Sequence, residues 1–223
     1  MCVILKIFGK HLAKKFSIID ELTRPLHSHI TAADQCLYLF ERTSGRGDSF
    51  DHASSVIANI KKKPATSSEA ELRYKERDII RCSNTFKNSL ADFWVKNATF
   101  VPAPPSKVPG DPQYDDRMER ICRGMGPEVD VRNLIKQDVS MVSSHERSEG
   151  HRIRLDELLE HYSIDEDLVD PEPLYIAIVD DMLTAGTHYR AMHTILSHRF
   201  PQAVFAGVFV ARRIFADEDQ TDL

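Results

Sequence analysis

Cysteine is scarce in this chain, and what there is does not cluster. Its 223 residues hold four, Cys2, Cys36, Cys82 and Cys122, with no C-x-x-C pair and no histidine at metal-ligand spacing. That argues against a zinc ribbon or a disulfide framework and leaves reduced thiols as the expectation. Long apolar runs are also missing near the start: Val3 to Phe8 is broken by Lys6 and followed by Lys10, Lys14 and Lys15. The run is shorter than a signal peptide core or a membrane span, so a cytoplasmic location without membrane association is expected. A strong charge of one sign is absent as well. With 29 basic and 34 acidic side chains and a net charge of −5, a wholly basic nucleic-acid surface is excluded, though local basic patches are not. His188, His193 and His198 fall at five-residue spacings that do not keep them on one helix face, and most histidines are expected at the surface.

What is present is the composition of an ordinary globular protein, 42% hydrophobic and 28% charged, in a chain long enough for one large domain or a domain with an appendage. One stretch organises the rest. Leu174 to Val179 is an unbroken apolar run of the length of a strand buried on both faces. Asp180 and Asp181 follow it directly, where open α/β sheets place their ligands. Thr184, Ala185, Gly186, Thr187 and His188 then lead into an amphipathic helix over Tyr189 to Phe200. Backbone amides at a helix N-terminus, a glycine permitting close approach and two threonine hydroxyls suit a phosphate, so the stretch reads as a sugar-phosphate site. The plainer alternative is a strand whose Asp181 begins a turn, with Thr187 as an N-cap.

Elsewhere, Gln35 to Thr43 reads as a strand and Phe50 to Ile60 as a helix. That helix is stopped by Lys61-Lys62-Lys63-Pro64, which forms either a solvated basic end or a group screening a diphosphate or approaching nucleic acid. Glu69 to Trp94 carries apolar residues at three-, four- and seven-residue steps, predicting one long helix. Ala98 to Pro102 predicts a short buried strand that feeds Ala103-Pro104-Pro105-Ser106-Lys107, a proline-stiffened loop bearing a hydroxyl and a cation. Arg117, in the following short helix, either reaches a phosphate or pairs with Asp115 or Asp116. Val129 to Val142 is expected to contain the second core strand, Arg154 to Tyr162 a turn or two of helix, and Ala203 to Ala211 a last buried strand. Ser143 to Arg152 is charged and is expected to be exposed, either as an inert surface loop or as a loop that closes over a ligand. An acidic tail closes the chain.

The apolar strand, Asp180-Asp181, two residues, then Thr184-Ala185-Gly186-Thr187 resembles the phosphoribosyl pyrophosphate (PRPP) motif of type I phosphoribosyltransferases. Over residues 36–213 the order of elements is most similar to the ComF-like branch. The resemblance implies an α/β fold with a central, mostly parallel sheet flanked by helices and an N-terminal hood. It divides the chain into an extension (1–34), the hood and helical part (35–95), a PRPP-binding core (96–214) and a tail (215–223). It implies that Asp180 and Asp181 hold the ribose hydroxyls and, indirectly, the Mg²⁺ carried by PRPP. Residues 184–188 would then wrap the 5′-phosphate, Pro105, Ser106 and Lys107 would bind pyrophosphate, and a closing loop would bring catalytic Arg147 with His151 and Arg152. The implied activity is transfer of phosphoribose to a nitrogenous acceptor with release of pyrophosphate. The alternative is a non-catalytic PRPP or nucleotide sensor, or an interaction subunit as in DNA uptake or bacterial defence. Thr184 stands where hypoxanthine-type enzymes carry an acid, and residues 143–152 lack lysine, so the acceptor base or nucleotide-like ligand stays open. So do a homodimer and a protein or nucleic-acid partner.

Overall fold

The computed structural model describes residues 16–140 and 153–216. In chain order the elements are β1 (Ser17–Ile18), β2 (Cys36–Thr43), α1 (His52–Ile60), α2 (Glu69–Ser89), α3 (Asp92–Asn97), β3 (Thr99–Pro102) and α4 (Arg117–Arg123). They continue with β4 (Asp130–Val131), β5 (Ile135–Gln137), α5 (Leu155–His161), β6 (Tyr162–Ile164), β7 (Tyr175–Leu183), α6 (Thr187–Arg199) and β8 (Val204–Ile214). Six strands form one sheet in the order β1-β2-β8-β7-β3-β4, and β5 and β6 pair separately. Every pairing from β2 across to β4 is parallel, and only β1 runs antiparallel, on the edge of β2. The protein is a mixed α/β fold with a mostly parallel central sheet flanked by helices.

The apolar runs explain the layering. A strand exposes alternate residues to opposite faces, so a strand covered on both sides must be apolar throughout. In β7, Ala177 and Val179 pack with α1, α2, α3 and α4, while Ile176 and Ile178 pack with α5 and α6. In β2, Leu37 and Leu39 take the first side and Cys36 and Tyr38 the second. Phe86, Phe100 and Phe209 are completely or almost completely buried, and removing a side chain of that size from water contributes about 1.5–3 kcal/mol. Helix α1 starts at Asp51, whose carboxylate accepts from the Ser54 amide at 2.6 Å, and α2 starts at a reciprocal Ser68–Glu71 capping box.

Several expectations need correction. Residues 36–43 are not part of a hood: β2 is inserted in the central sheet beside β8, because its alternating sides both find a helical layer. The long helix over Glu69 to Trp94 is broken at Leu90, whose backbone is extended with ψ 148°; the break lets both Leu90 and Trp94 enter the core. The strand expected in Val129 to Val142 is divided. Only Asp130–Val131 joins the sheet, and Ile135–Gln137 turns away to pair with β6. Arg132 pins that departure by donating to the carbonyls of Leu168, Val169 and Pro171. Among the described residues, no helix is long and apolar enough to cross a membrane.

Candidate functional site

Strands β3 and β7 lie side by side, but the chain leaves them in opposite directions. After β3 it passes to α4 on one face of the sheet, and after β7 to α6 on the other. Neighbouring strands with diverging connections open a crevice at their carboxyl ends, the usual ligand position in such sheets. A cleft occupies that place. Its lining includes Asp180, Asp181, Thr184 and His188 from the β7 side and Pro105, Ser106 and Lys107 from the β3 side, so these seven expected site residues meet around one space. Ala185, Gly186 and Thr187 continue the loop behind Thr184 into α6. Arg147, His151 and Arg152 lie outside the described residues.

The carboxylate pair differs from the expectation in one respect. β7 does not end before Asp180 but runs on to Leu183, so the two aspartates are strand residues and point to opposite faces. Asp181 points toward α1 and α4 and is buried. Its Oδ1 takes Lys61 Nζ at 3.0 Å, and its Oδ2 accepts from Arg117 Nε at 2.9 Å and Nη2 at 2.6 Å. Arg117 also donates to Asp115 at 2.8 Å, and Asp115 accepts from buried Lys75 at 2.6 Å. A continuous chain of charges therefore ties the ends of α1 and α4 and the middle of α2 to β7. Burial alone would raise the Asp181 carboxyl, but the cations Lys61 and Arg117 hold it well below the usual carboxylate range.

Asp180 points to the other side, toward Tyr162, and is half-buried. Its Oδ1 accepts from the Asp181 amide at 2.7 Å. Burial, then the charge of Asp181, pushes its carboxyl from 3.8 up to about 7, with Lys61 and Arg117 opposing. Tyr162 and His188 form a neighbouring pair, hydroxyl to Nδ1 at 2.9 Å. Burial, then Asp180, raises the Tyr162 phenol far above its ordinary value.

The loop after β7 is shaped by a segment to which the sequence assigned no chemistry. His27 is fully buried and its Nδ1 hydrogen bonds the Thr184 carbonyl at 2.5 Å; because a carbonyl only accepts, Nδ1 carries the proton. The His29 amide donates to the Ala185 carbonyl at 2.9 Å, and Arg190 of α6 returns a bond from Nε to the His29 carbonyl at 3.0 Å. Two successive loop carbonyls thus face the N-terminal segment. In a trans peptide the carbonyl and the following N–H point in opposite directions, so the amides of Ala185 and Gly186 turn away from that segment. Gly186 has φ 87°, and a Cβ there would meet Ile30 Cδ1 at 2.9 Å, so both backbone and space call for glycine. Gly186 is the N-cap; Thr187 is the first helical residue.

On the β3 side, Gln137 Nε2 donates to the Ser106 carbonyl at 3.1 Å and fixes the proline-rich loop to β5. Sequence reasoning left Lys61 and Arg117 each with two readings; the structure pairs Lys61 with Asp181, and pairs Arg117 with Asp115, one of the partners expected for it, as well as with Asp181. That reasoning missed Lys75, Tyr162 and His27 altogether. No local signal marks such partners, since Arg117 and Asp181 stand 64 residues apart and His27 and Thr184 stand 157 apart. No family model and no curated protein matches the chain.

Proposed function

We propose that this protein binds PRPP with its Mg²⁺ in the cleft between β3 and β7, and transfers the phosphoribosyl group to a nitrogenous acceptor with release of pyrophosphate, on a type I phosphoribosyltransferase-like scaffold. One observation carries the reading: two loops singled out separately in the sequence, Pro105-Ser106-Lys107 and Asp180 to His188, line the same cleft at a sheet switch point.

The chemistry follows from the geometry. The loop at 184–187, with its carbonyls held back by His27 and His29, offers amides and hydroxyls to the 5′-phosphate. Asp180, which lines the cleft, accepts the ribose hydroxyls and faces the anomeric carbon as it gains positive charge. Lys107 and Ser106 receive the leaving pyrophosphate, and preorganised contacts of this kind each contribute about a hundredfold in rate. Among the described residues no group of three His, Cys, Asp or Glu side chains is placed to hold a metal alone. Mg²⁺ therefore fits here as a companion of the ligand's phosphate oxygens, near Asp180, where it would neutralise the diphosphate.

Titration calorimetry with Mg²⁺ and PRPP, followed by a screen of bases for pyrophosphate release, tests this. Saturable binding with release for at least one acceptor is expected; absence of PRPP binding overturns it. One observation favours a second reading, that of a sensor: Asp181, though it lines the cleft, already has both carboxylate oxygens engaged by cations. Tight PRPP binding with no release for any base would favour the sensor.

A further inference from the structure

Helix α1 is followed by three consecutive lysines, Lys61 as its C-cap and then Lys62 and Lys63, and each has its own surroundings. Lys61 meets Asp181 at 3.0 Å and Lys62 meets Glu71 at 3.4 Å. The Lys62 carbonyl, one residue past the C-cap of α1, takes Lys75 Nζ at 2.7 Å. Lys63 and Pro64 line the same cleft as Ser106 and Lys107.

We propose that Lys63 is an anion-binding residue of this cleft, acting with Lys107 on the two phosphoryl groups of a diphosphate, and that Lys61 is the positioning residue that fixes the segment from which it projects. The inference rests on the PRPP reading and adds to it a diphosphate contact from the N-terminal half of the chain.

Three features lead there. A helix C-terminus carries partial negative charge and repels anions; here the Lys75 ammonium donates to the Lys62 carbonyl just past the helix end. The backbone at Lys63 is narrowed in advance, since a residue before proline is steered to extended conformations, while Lys61 is anchored two positions earlier. A diphosphate also carries several negative charges on two phosphoryl groups, which one lysine cannot answer from one side. Lys63 and Lys107 approach the cleft from different elements, one after α1 and the other after β3. Lysine suits this task as a point charge on a flexible stem.

The test uses the full chain and two probes, inorganic pyrophosphate with Mg²⁺ and ribose 5-phosphate, each titrated calorimetrically. Lys63→Met should weaken pyrophosphate binding about tenfold, the size of one charge-assisted contact, with ribose 5-phosphate affinity and thermal midpoint unchanged; Lys63→Arg should restore it. Lys61→Met should weaken both probes and lower the thermal midpoint, because it acts through Asp181. If Lys63→Met leaves pyrophosphate binding intact while Lys107→Met weakens it, the proposal is overturned and the PRPP reading stands. Equal weakening of both probes by Lys63→Met overturns the assignment to the diphosphate. If the wild-type protein binds neither probe, the PRPP reading falls and takes this proposal with it.

Discussion

The guanidinium of Arg117 closes on one oxygen of Asp181, with Nε at 2.9 Å and Nη2 at 2.6 Å, while the other oxygen of that carboxylate receives Lys61. An aspartate in the position of a ligand-binding residue is also a structural joint between β7, α1 and α4.

Asp181→Asn should therefore cost stability as well as ligand affinity. Removing one member of a buried ion pair costs about 3–5 kcal/mol, and the lower end applies because Arg117 and Lys61 keep 23% and 29% side-chain exposure. Urea unfolding reads the loss, and Arg117→Met should give a similar one. With the Asp181 carboxyl held below 3.8 in the folded protein, this contribution is complete above that pH and is lost on further acidification. An unshifted urea midpoint for both variants would show that the joint is inert.

Asp180 should behave in the opposite sense. Its carboxyl is raised from 3.8 to about 7, so the folded state holds the proton longer than the unfolded state, and stability declines as pH rises between those values. Asp180→Asn removes that cost. At pH 8 the variant should be more stable than the wild type, and near pH 4 the two should coincide. The same substitution should weaken PRPP binding at least tenfold, a site strained in favour of its ligand. Equal stability of the two proteins at pH 8 would refute the strain.

His27 makes the protein acid-sensitive. Burial, opposed by its bond to Thr184, holds the imidazole below 6.5. The unfolded chain therefore takes up the proton first, and stability that is full above that value falls as pH drops through it. His27→Gln should flatten the slope between pH 7 and pH 5 measured by thermal melting. His193, also lowered by burial, should leave a residual slope, and a slope identical to wild type would dismiss the role of His27.

Gly186→Ala should cost more than the usual penalty of about 1 kcal/mol for alanine at positive φ, because the added methyl meets Ile30 at 2.9 Å. In an Ile30→Ala background the steric share should be recovered and the backbone share retained, a coupling that a double-mutant cycle measures directly. Strict additivity would place Ile30 outside the contact.

The sequence made the buried strands and the meeting of two loops legible because each depends on local order: an apolar run, a proline-rich turn, an Asp-Asp pair before a glycine. It did not show that β7 continues through Asp181 to Leu183, since two adjacent carboxylates look like an end rather than a continuation. Only pairing with β8 and the cations under Asp181 make the extension tolerable. Lys61, Arg117 and His27 carry no local mark of their partners, which are fixed by tertiary contact. The division of Val129 to Val142 between two sheets likewise depends on Arg132 and carbonyls far along the chain.

His27 and Thr184 are separated by 157 residues, and Asp34 and Arg190 by 156. During synthesis the chain emerges at about 5–20 residues per second from its N-terminal side, so the segment around His27 waits for at least 157 further residues before it meets the loop after β7. The contacts of longest range close late, after their loop entropy has been met by the rest of the fold. A nascent chain that has not yet delivered residues 184–186 has the His27 segment but no loop to hold. A sugar phosphate captured at this loop, as proposed, would therefore bind only chains extended past residue 187, in which the His27 segment already has its partner.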